Sequence, residues 1–191
     1  MAVVDEAAAA EVLRAGNVVA IPTDTVYGLA ADADQPGAVE LLFELKQRPR
    51  DVNVPVLVAD AAQAREQAIV AAPYVERLLE RFWPGALTLV LDRHDLSGTV
   101  GLRCPDHAVP RDLCRRVGPL AVTSANLHGA PPLTSATAVL AQFGPSLAVV
   151  DGGVRGGEPS TVIDCTDGSG PVLLRAGAIP FAAILAAAAA R

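Results

Sequence analysis

An α/β fold built on one mixed sheet is what this sequence predicts, and three observations carry the prediction. Through the first half, apolar runs of strand length alternate with helical patterns. In the last third the strand-like runs Leu147–Val150, Thr161–Cys165 and Val172–Leu174 follow one another too closely for a crossover helix between each pair. The sheet therefore has to mix parallel and antiparallel neighbours, flanked by helices. No linker-like stretch and no internal repeat interrupts residues 1–191, so the chain reads as a single domain.

Taken in order, Ala7–Ala15 is an Ala-rich helix stopped near Gly16, and Val18–Ile21 is a strand. Pro22 lacks a backbone donor and ends regular pairing there. Pro36–Gln47 is helical, with Val39, Leu42 and Phe43 on one face, Pro36 in the first turn and Pro49 beyond the end. Val54–Val58 is the next strand, followed by helices Asp60–Ile69 and Pro73–Phe82. Trp83-Pro84-Gly85 turns into strand Ala86–Leu91, and Val100–Arg103 is a short strand closed by Pro105. A helix over Val109–Val117 stops at Gly118, and strand Leu120–Thr123 opens onto Ser124. Ser135 is placed to cap helix Ala136–Phe143. After the three closely spaced strands, Pro180 starts a terminal Ala-rich helix.

Composition excludes several functions. Hydrophobic residues make up 51% and charged residues 19%, a globular balance. With 15 basic and 21 acidic residues the net charge is −6, which argues against strong unspecific RNA binding. Only 4% of residues are aromatic, too few for a stacking platform that would make the chain an RNA-binding accessory factor. Cys104, Cys114 and Cys165 are odd in number and form no CxxC, so neither a disulfide scaffold nor a zinc ribbon is expected, and no metal ligands are assigned. The apolar tail Phe181–Ala190 is far short of the roughly 20 residues that span a bilayer. A cytoplasmic location with no membrane partner is the expectation.

Chemistry concentrates at the ends of the apolar elements. Thr23, Asp24, Thr25 and Tyr27 follow a strand end and are closed by Gly28, where a rigid strand meets an open loop. The plain alternative is a turn whose hydroxyls serve their own backbone. Lys46, Arg48, Arg50, Arg103 and Arg175 lie at helix or strand ends; each alone reads as a solvated charge, but several converging on one cleft would hold a phosphate or carboxylate. Ser124 and Asn126 follow a strand, and Ser160 and Thr161 follow the glycine-rich run Asp151–Gly157. There is no GxxxxGK[ST], no strand–GxGxxG–helix and no GxSxG, so a nucleotide would be held by scattered cations, hydroxyls and backbone donors.

The ordered set Ile21–Ala30, Lys46-Gln47-Arg48-Pro49, Ser124-Ala125-Asn126 and Ser160–Asp164 resembles the threonylcarbamoyl-AMP synthase (YrdC/Sua5) family, from about Asn17 to about Ile179. The resemblance implies a YrdC-like fold, a twisted mixed sheet around a concave cleft, of the short single-domain type. It implies L-threonylcarbamoyladenylate synthesis from L-threonine, bicarbonate and ATP, with pyrophosphate released. The product would pass to the machinery that makes N6-threonylcarbamoyladenosine in tRNA. By matching positions, Thr25, Arg103, the backbone around Val122 and Ser160 would hold threonine. Arg48, Thr99, Ser124 and Arg175 would contact ATP, with Asn126 supporting the nucleotide pocket. Lys46 and Arg48 would neutralise its phosphates as the catalytic pair, and magnesium would accompany them. The sequence departs from the family at Leu57, where a His is frequent, and at His128 and Pro132, where Ser is frequent. The alternatives are a diverged carbamoyl-adenylate enzyme with another acceptor, or an RNA-binding accessory factor, against which the acidic balance and low aromatic content count.

Overall fold

The computed structural model describes residues 3–47, 54–127 and 129–190. The strands described are β1 (Val3–Val4), β2 (Val19–Pro22), β3 (Tyr27–Asp32), β4 (Val56–Leu57), β5 (Leu87–Asp92), β6 (Thr99–Arg103), β7 (Leu120–Ser124), β8 (Ala148–Val150), β9 (Thr161–Asp164) and β10 (Val172–Arg175). The helices are α1 (Glu6–Arg14), α2 (Pro36–Lys46), α3 (Ala61–Gln67), α4 (Pro73–Phe82), α5 (Ala108–Val117), α6 (Ala136–Phe143) and α7 (Phe181–Ala189). Among the described residues the strands form one sheet in the order β1-β8-β2-β3-β7-β4-β6-β5-β9-β10. The sheet is mixed, as the spacing predicts: β4–β6 and β5–β9 are parallel, whereas β2–β3, β3–β7, β5–β6 and β9–β10 are antiparallel.

Two strands have no counterpart in the sequence reading. β1 is only two residues long. β3 runs through Tyr27-Gly28-Leu29-Ala30-Ala31-Asp32, a stretch short of β-branched residues, and forms because both its neighbours pair along it. Gly28 is required there, since a Cβ would lie 2.6 Å from Val122 Cγ1 on the adjacent strand. β3 also corrects the reading of Tyr27 as part of an open polar loop. Its ring is fully buried, and its hydroxyl accepts from Gly152 N and donates to Gly153 O, both at 2.9 Å. Burial raises its pKa. Tyr27 therefore ties the glycine-rich segment to the sheet.

Helices cover the sheet unevenly. Around β2, β3, β7 and β8, α1 and α5 pack on one face through Ala9, Leu13 and Leu113. α2 and α6 pack on the other through Ala38, Leu42 and Val139. Every residue of β2, β3 and β8 is buried in consequence. Around β5, β6 and β9 one face carries Leu87, Leu89, Leu91, Val100, Leu102 and Ile163 into a core made with α4 and α7. The residues alternating with them, Val90, Thr99, Gly101 and Val162, are half-buried or exposed. Side chains alternate across a strand, so this half of the sheet keeps one face open.

Candidate active site

The open face carries Thr88 of β5, Thr99, Gly101 and Arg103 of β6, and Ser160 just before β9. The β2–β3 turn reaches it although β3 lies three places from β6 in the sheet order. Arg103 is the point of contact. It is 7% exposed, and its guanidinium donates to Asp24 Oδ1 at 2.6 Å, Thr25 Oγ1 at 3.3 Å and Gly85 O at 3.0 Å. Burial lowers its pKa, and the Asp24 carboxylate works against that shift. Asp24, visible in the sequence only as a carboxylate at a strand end, is thus the partner that lets the cation be buried.

In the turn itself the two threonines divide their work. Thr23 Oγ1 accepts from Thr25 N and Val26 N and lies 2.6 Å from Val26 O as a donor. Its hydroxyl serves the backbone, as the plain turn reading has it. Thr25 lies 5% exposed between Thr23 Oγ1 at 3.0 Å and Arg103, and its carbonyl accepts from Gly157 N at 3.0 Å.

A second cluster forms where α2 ends against β7. Lys46 is 3% exposed, and four acceptors surround its Nζ: Ser124 O at 2.6 Å, Asn126 Oδ1 at 2.9 Å, Asn126 O at 3.1 Å and Ser124 Oγ at 3.2 Å. Asn126 spends its amide protons on Leu127 O and Ala130 O, at 2.8 and 2.7 Å. Lys46 is therefore a buried cation that holds the turn after β7. It is not the solvated helix-end charge that its position alone suggests. Arg48, the other member of the predicted catalytic pair, lies outside the described residues, as do Arg50 and His128.

Val122 contributes backbone. Its N–H donates to Pro55 O at 2.9 Å, and Pro55 has no N–H to return the second bond of that pair. The Val122 carbonyl consequently receives no ladder donor from Pro55. Thr99 is exposed at the far end of β6 from Arg103, about 13 Å along the strand at ordinary strand rise. It lines a recess of about 230 Å³ with Val39, Phe43, Val54, Gly101 and Ala121. On the outer side, Arg175 Nη2 donates to Ser160 O at 2.8 Å and to Ser160 Oγ at 3.0 Å. Backbone packing fixes this corner, since a Cβ on Gly177 would lie 2.3 Å from Pro159 O. The structure thus brings Thr25 to Arg103, Ser160 to Arg175, and Ser124 and Asn126 to Lys46. Thr99 stands apart at the other end of the face.

A curled mixed sheet with one polar, cation-bearing face left open defines a cleft protein of the YrdC-like class. The Sua5/YciO/YrdC family model, described as "Telomere recombination", matches residues 11–177, and the chain belongs to that family. It is 43% identical over 185 residues to the threonylcarbamoyl-AMP synthase of Bacillus subtilis, covering 91% of this chain and 53% of that protein. It is 42% identical to a putative threonylcarbamoyl-AMP synthase of Mycobacterium tuberculosis, covering 87% and 81%. Among solved structures, Pyrococcus abyssi Sua5 complexed with L-threonine superposes with a TM-score of 0.89 at 38% identity, covering 96% of this chain and 58% of that one. Escherichia coli YciO does so with a TM-score of 0.80 at 26% identity, covering 92% and 90%. The chain spans little more than half the length of the B. subtilis and P. abyssi proteins.

Proposed function

We propose that the chain is an L-threonylcarbamoyladenylate synthase working on the open face of its sheet. The observation that carries the reading is the pair of cationic corners there, Arg103 with Thr25 and Arg175 with Ser160, each joining a guanidinium to a hydroxyl. An arginine and a hydroxyl together suit an amino acid bearing a carboxylate and a side-chain oxygen. The solved P. abyssi relative with L-threonine bound supports the choice of amino acid. The Val122 carbonyl, left without a donor from Pro55, is a further acceptor for the substrate's nitrogen.

In this reading threonine's amine attacks bicarbonate, giving N-carboxythreonine and water. The new carboxylate attacks the α-phosphorus of ATP; the α–β bridging bond breaks, pyrophosphate leaves and threonylcarbamoyl-AMP remains. The chain's part is to hold both reactants together and to balance charge, with no covalent intermediate. The recess beneath Thr99, walled by Val39, Phe43 and Val54 with Asp34, Gln67 and Arg93 among its lining, would take the adenosine. Ser124, with Asn126 and Lys46, would face the phosphates together with Arg48. No group of three or more His, Cys, Asp or Glu among the described residues would cage a metal ion. Magnesium, expected with the nucleotide, would be held by the nucleotide's own phosphate oxygens and water. The adenylate would pass to the enzymes that transfer the threonylcarbamoyl group to tRNA.

The test is incubation with ATP, bicarbonate and single amino acids, with the adenylate product identified by mass. A site that hydrogen-bonds a hydroxyl rejects analogues lacking one, so threonine should give the adenylate and valine far less. Equal product from valine, or pyrophosphate released without an amino acid, contradicts the assignment.

A further inference from the structure

The face of β5 carries one buried hydroxyl to which nothing so far gives a role. Thr88 is 4% exposed, and its Oγ1 lies 2.9 Å from Ser160 Oγ. Its methyl is turned toward β6, where a Cβ built on Gly101 would meet Thr88 Cγ2 at 3.5 Å. Among the described residues, Ser160 is the only hydrogen-bond partner of that hydroxyl. Ser160 Oγ meanwhile accepts a hydrogen bond from Arg175 Nη2 at 3.0 Å.

Counting protons exposes an imbalance. Each hydroxyl has one proton and two lone pairs. Only one proton can occupy the contact between the two oxygens, so the other is left without an acceptor among the described residues. If Ser160 donates, the stranded proton is the buried one on Thr88. If Thr88 donates, both Ser160 lone pairs are filled, by Thr88 and Arg175, and the Ser160 proton is free to meet a ligand. A ligand that brings an acceptor then satisfies all three donors at once. A ligand that brings a donor cannot do so.

We propose that Thr88 is a positioning residue that donates to Ser160 and so turns the Ser160 hydroxyl into a donor aimed at an anionic oxygen of a bound substrate. The charge beside it agrees. Arg175 makes its hydrogen bonds to Ser160 alone among the described residues, so its cation is available to the same anion. The anionic oxygen belongs either to the carboxylate of the amino acid or to a phosphate of the nucleotide, and the inference rests on the proposed use of this cleft by both.

Calorimetric titration of L-threonine and of ATP, each alone, into wild type, Thr88→Val, Thr88→Ser and Ser160→Ala tests it. Thr88→Val keeps the shape and removes the proton. It should weaken one of the two ligands by about ten-fold, the scale of one hydrogen bond, and leave the other within about two-fold. The ligand affected names the source of the anionic oxygen. Thr88→Ser should restore binding, and Thr88→Val should add nothing in a Ser160→Ala background, because the two act as a unit. Unchanged binding of both ligands to Thr88→Val, equal weakening of both, or full additivity with Ser160→Ala overturns the proposal. If Ser160→Ala itself alters neither ligand, the cleft assignment fails along with it. Should Thr88→Val not remain folded, Thr88→Ala carries the same expectation.

Discussion

The two halves of the sheet are made of similar strands and treated differently. β2, β3 and β8 are covered by helices on both faces and carry no exposed residue. β5, β6 and β9 alternate between buried leucine, isoleucine or valine on one face and threonine, valine, aspartate, glycine and arginine on the other. The covered half contributes rigidity and sends out one turn, Thr23–Val26. The open half contributes the surface that turn closes over. In the proposed reading, function comes from leaving a face bare where a helix could have lain. β4 joins the halves through the ladder, and the buried ion pair of Arg103 with Asp24 fastens the turn to the open face.

Breaking that pair should give the largest effect. Arg103→Ala strands the Asp24 carboxylate beside the cleft, and urea unfolding should show a loss of about 3–5 kcal/mol, the usual result of removing one partner of a buried pair. A loss under about 1 kcal/mol would mean that the pair does not fasten the turn to the open face. Lys46→Met comes next. It deprives Ser124 and Asn126 of a shared donor, so stability should fall by about 1–3 kcal/mol. If the cation also serves the phosphates, turnover should fall about 100-fold. The two numbers measured on one variant separate those roles.

The covered faces can be probed chemically. Cys104, Cys114 and Cys165 are buried, and desolvation pushes their thiols up to about 11, about 12 and about 12. They should resist an alkylating reagent at pH 8 in the native protein and react fully in urea, because only the thiolate attacks. Mass spectrometry reads the outcome, and fast labelling of Cys165 would show that the face beneath β9 is not closed. The smallest effect concerns His107, whose Nδ1 accepts from Val109 N at 3.3 Å at the start of α5. Burial, then Arg155, lowers its pKa from 6.5, so the fold prefers the neutral ring. That contribution is complete above about pH 6.5 and is lost as pH falls below it. Wild type should lose up to about 1 kcal/mol more than His107→Asn between pH 7.5 and 5.5, since Asn caps without titrating. Equal losses would dismiss the cap.

Much of the fold was legible because its elements announce themselves locally. Pro73–Phe82 starts on a first-turn proline and Ala136–Phe143 on the Ser135 cap, both bear apolar stripes, and the structure starts and ends both helices where the sequence places them. β3 was not legible, since alanine and glycine say nothing about a strand until β2 and β7 supply its hydrogen bonds. The site follows the same rule. Polar residues at element ends mark Thr25, Lys46, Arg103, Ser124 and Ser160 as candidates. The partners that define them are far away in the chain: Asp24 lies 79 residues from Arg103, and Asn126 lies 80 from Lys46. Thr88 could not be singled out, because a threonine within a strand is ordinary until the pairing of β5 with β9 sets it beside Ser160.

The bare face is the central claim, and Gly101 offers the most direct test of it. Gly101 lies midway along that face, with Thr88 Cγ2 and Pro55 Cβ at 3.5 and 3.8 Å from an added Cβ, which is ordinary contact distance. Gly101→Val therefore fits the strand and improves its β propensity while filling the cleft. Adenylate formation and melting temperature should be measured on the same preparation. A cleft on this face predicts a melting temperature equal to or above wild type with product formation reduced at least about 100-fold, the scale of a blocked reacting geometry. A folded Gly101→Val protein that makes product at the wild-type rate would place the chemistry elsewhere.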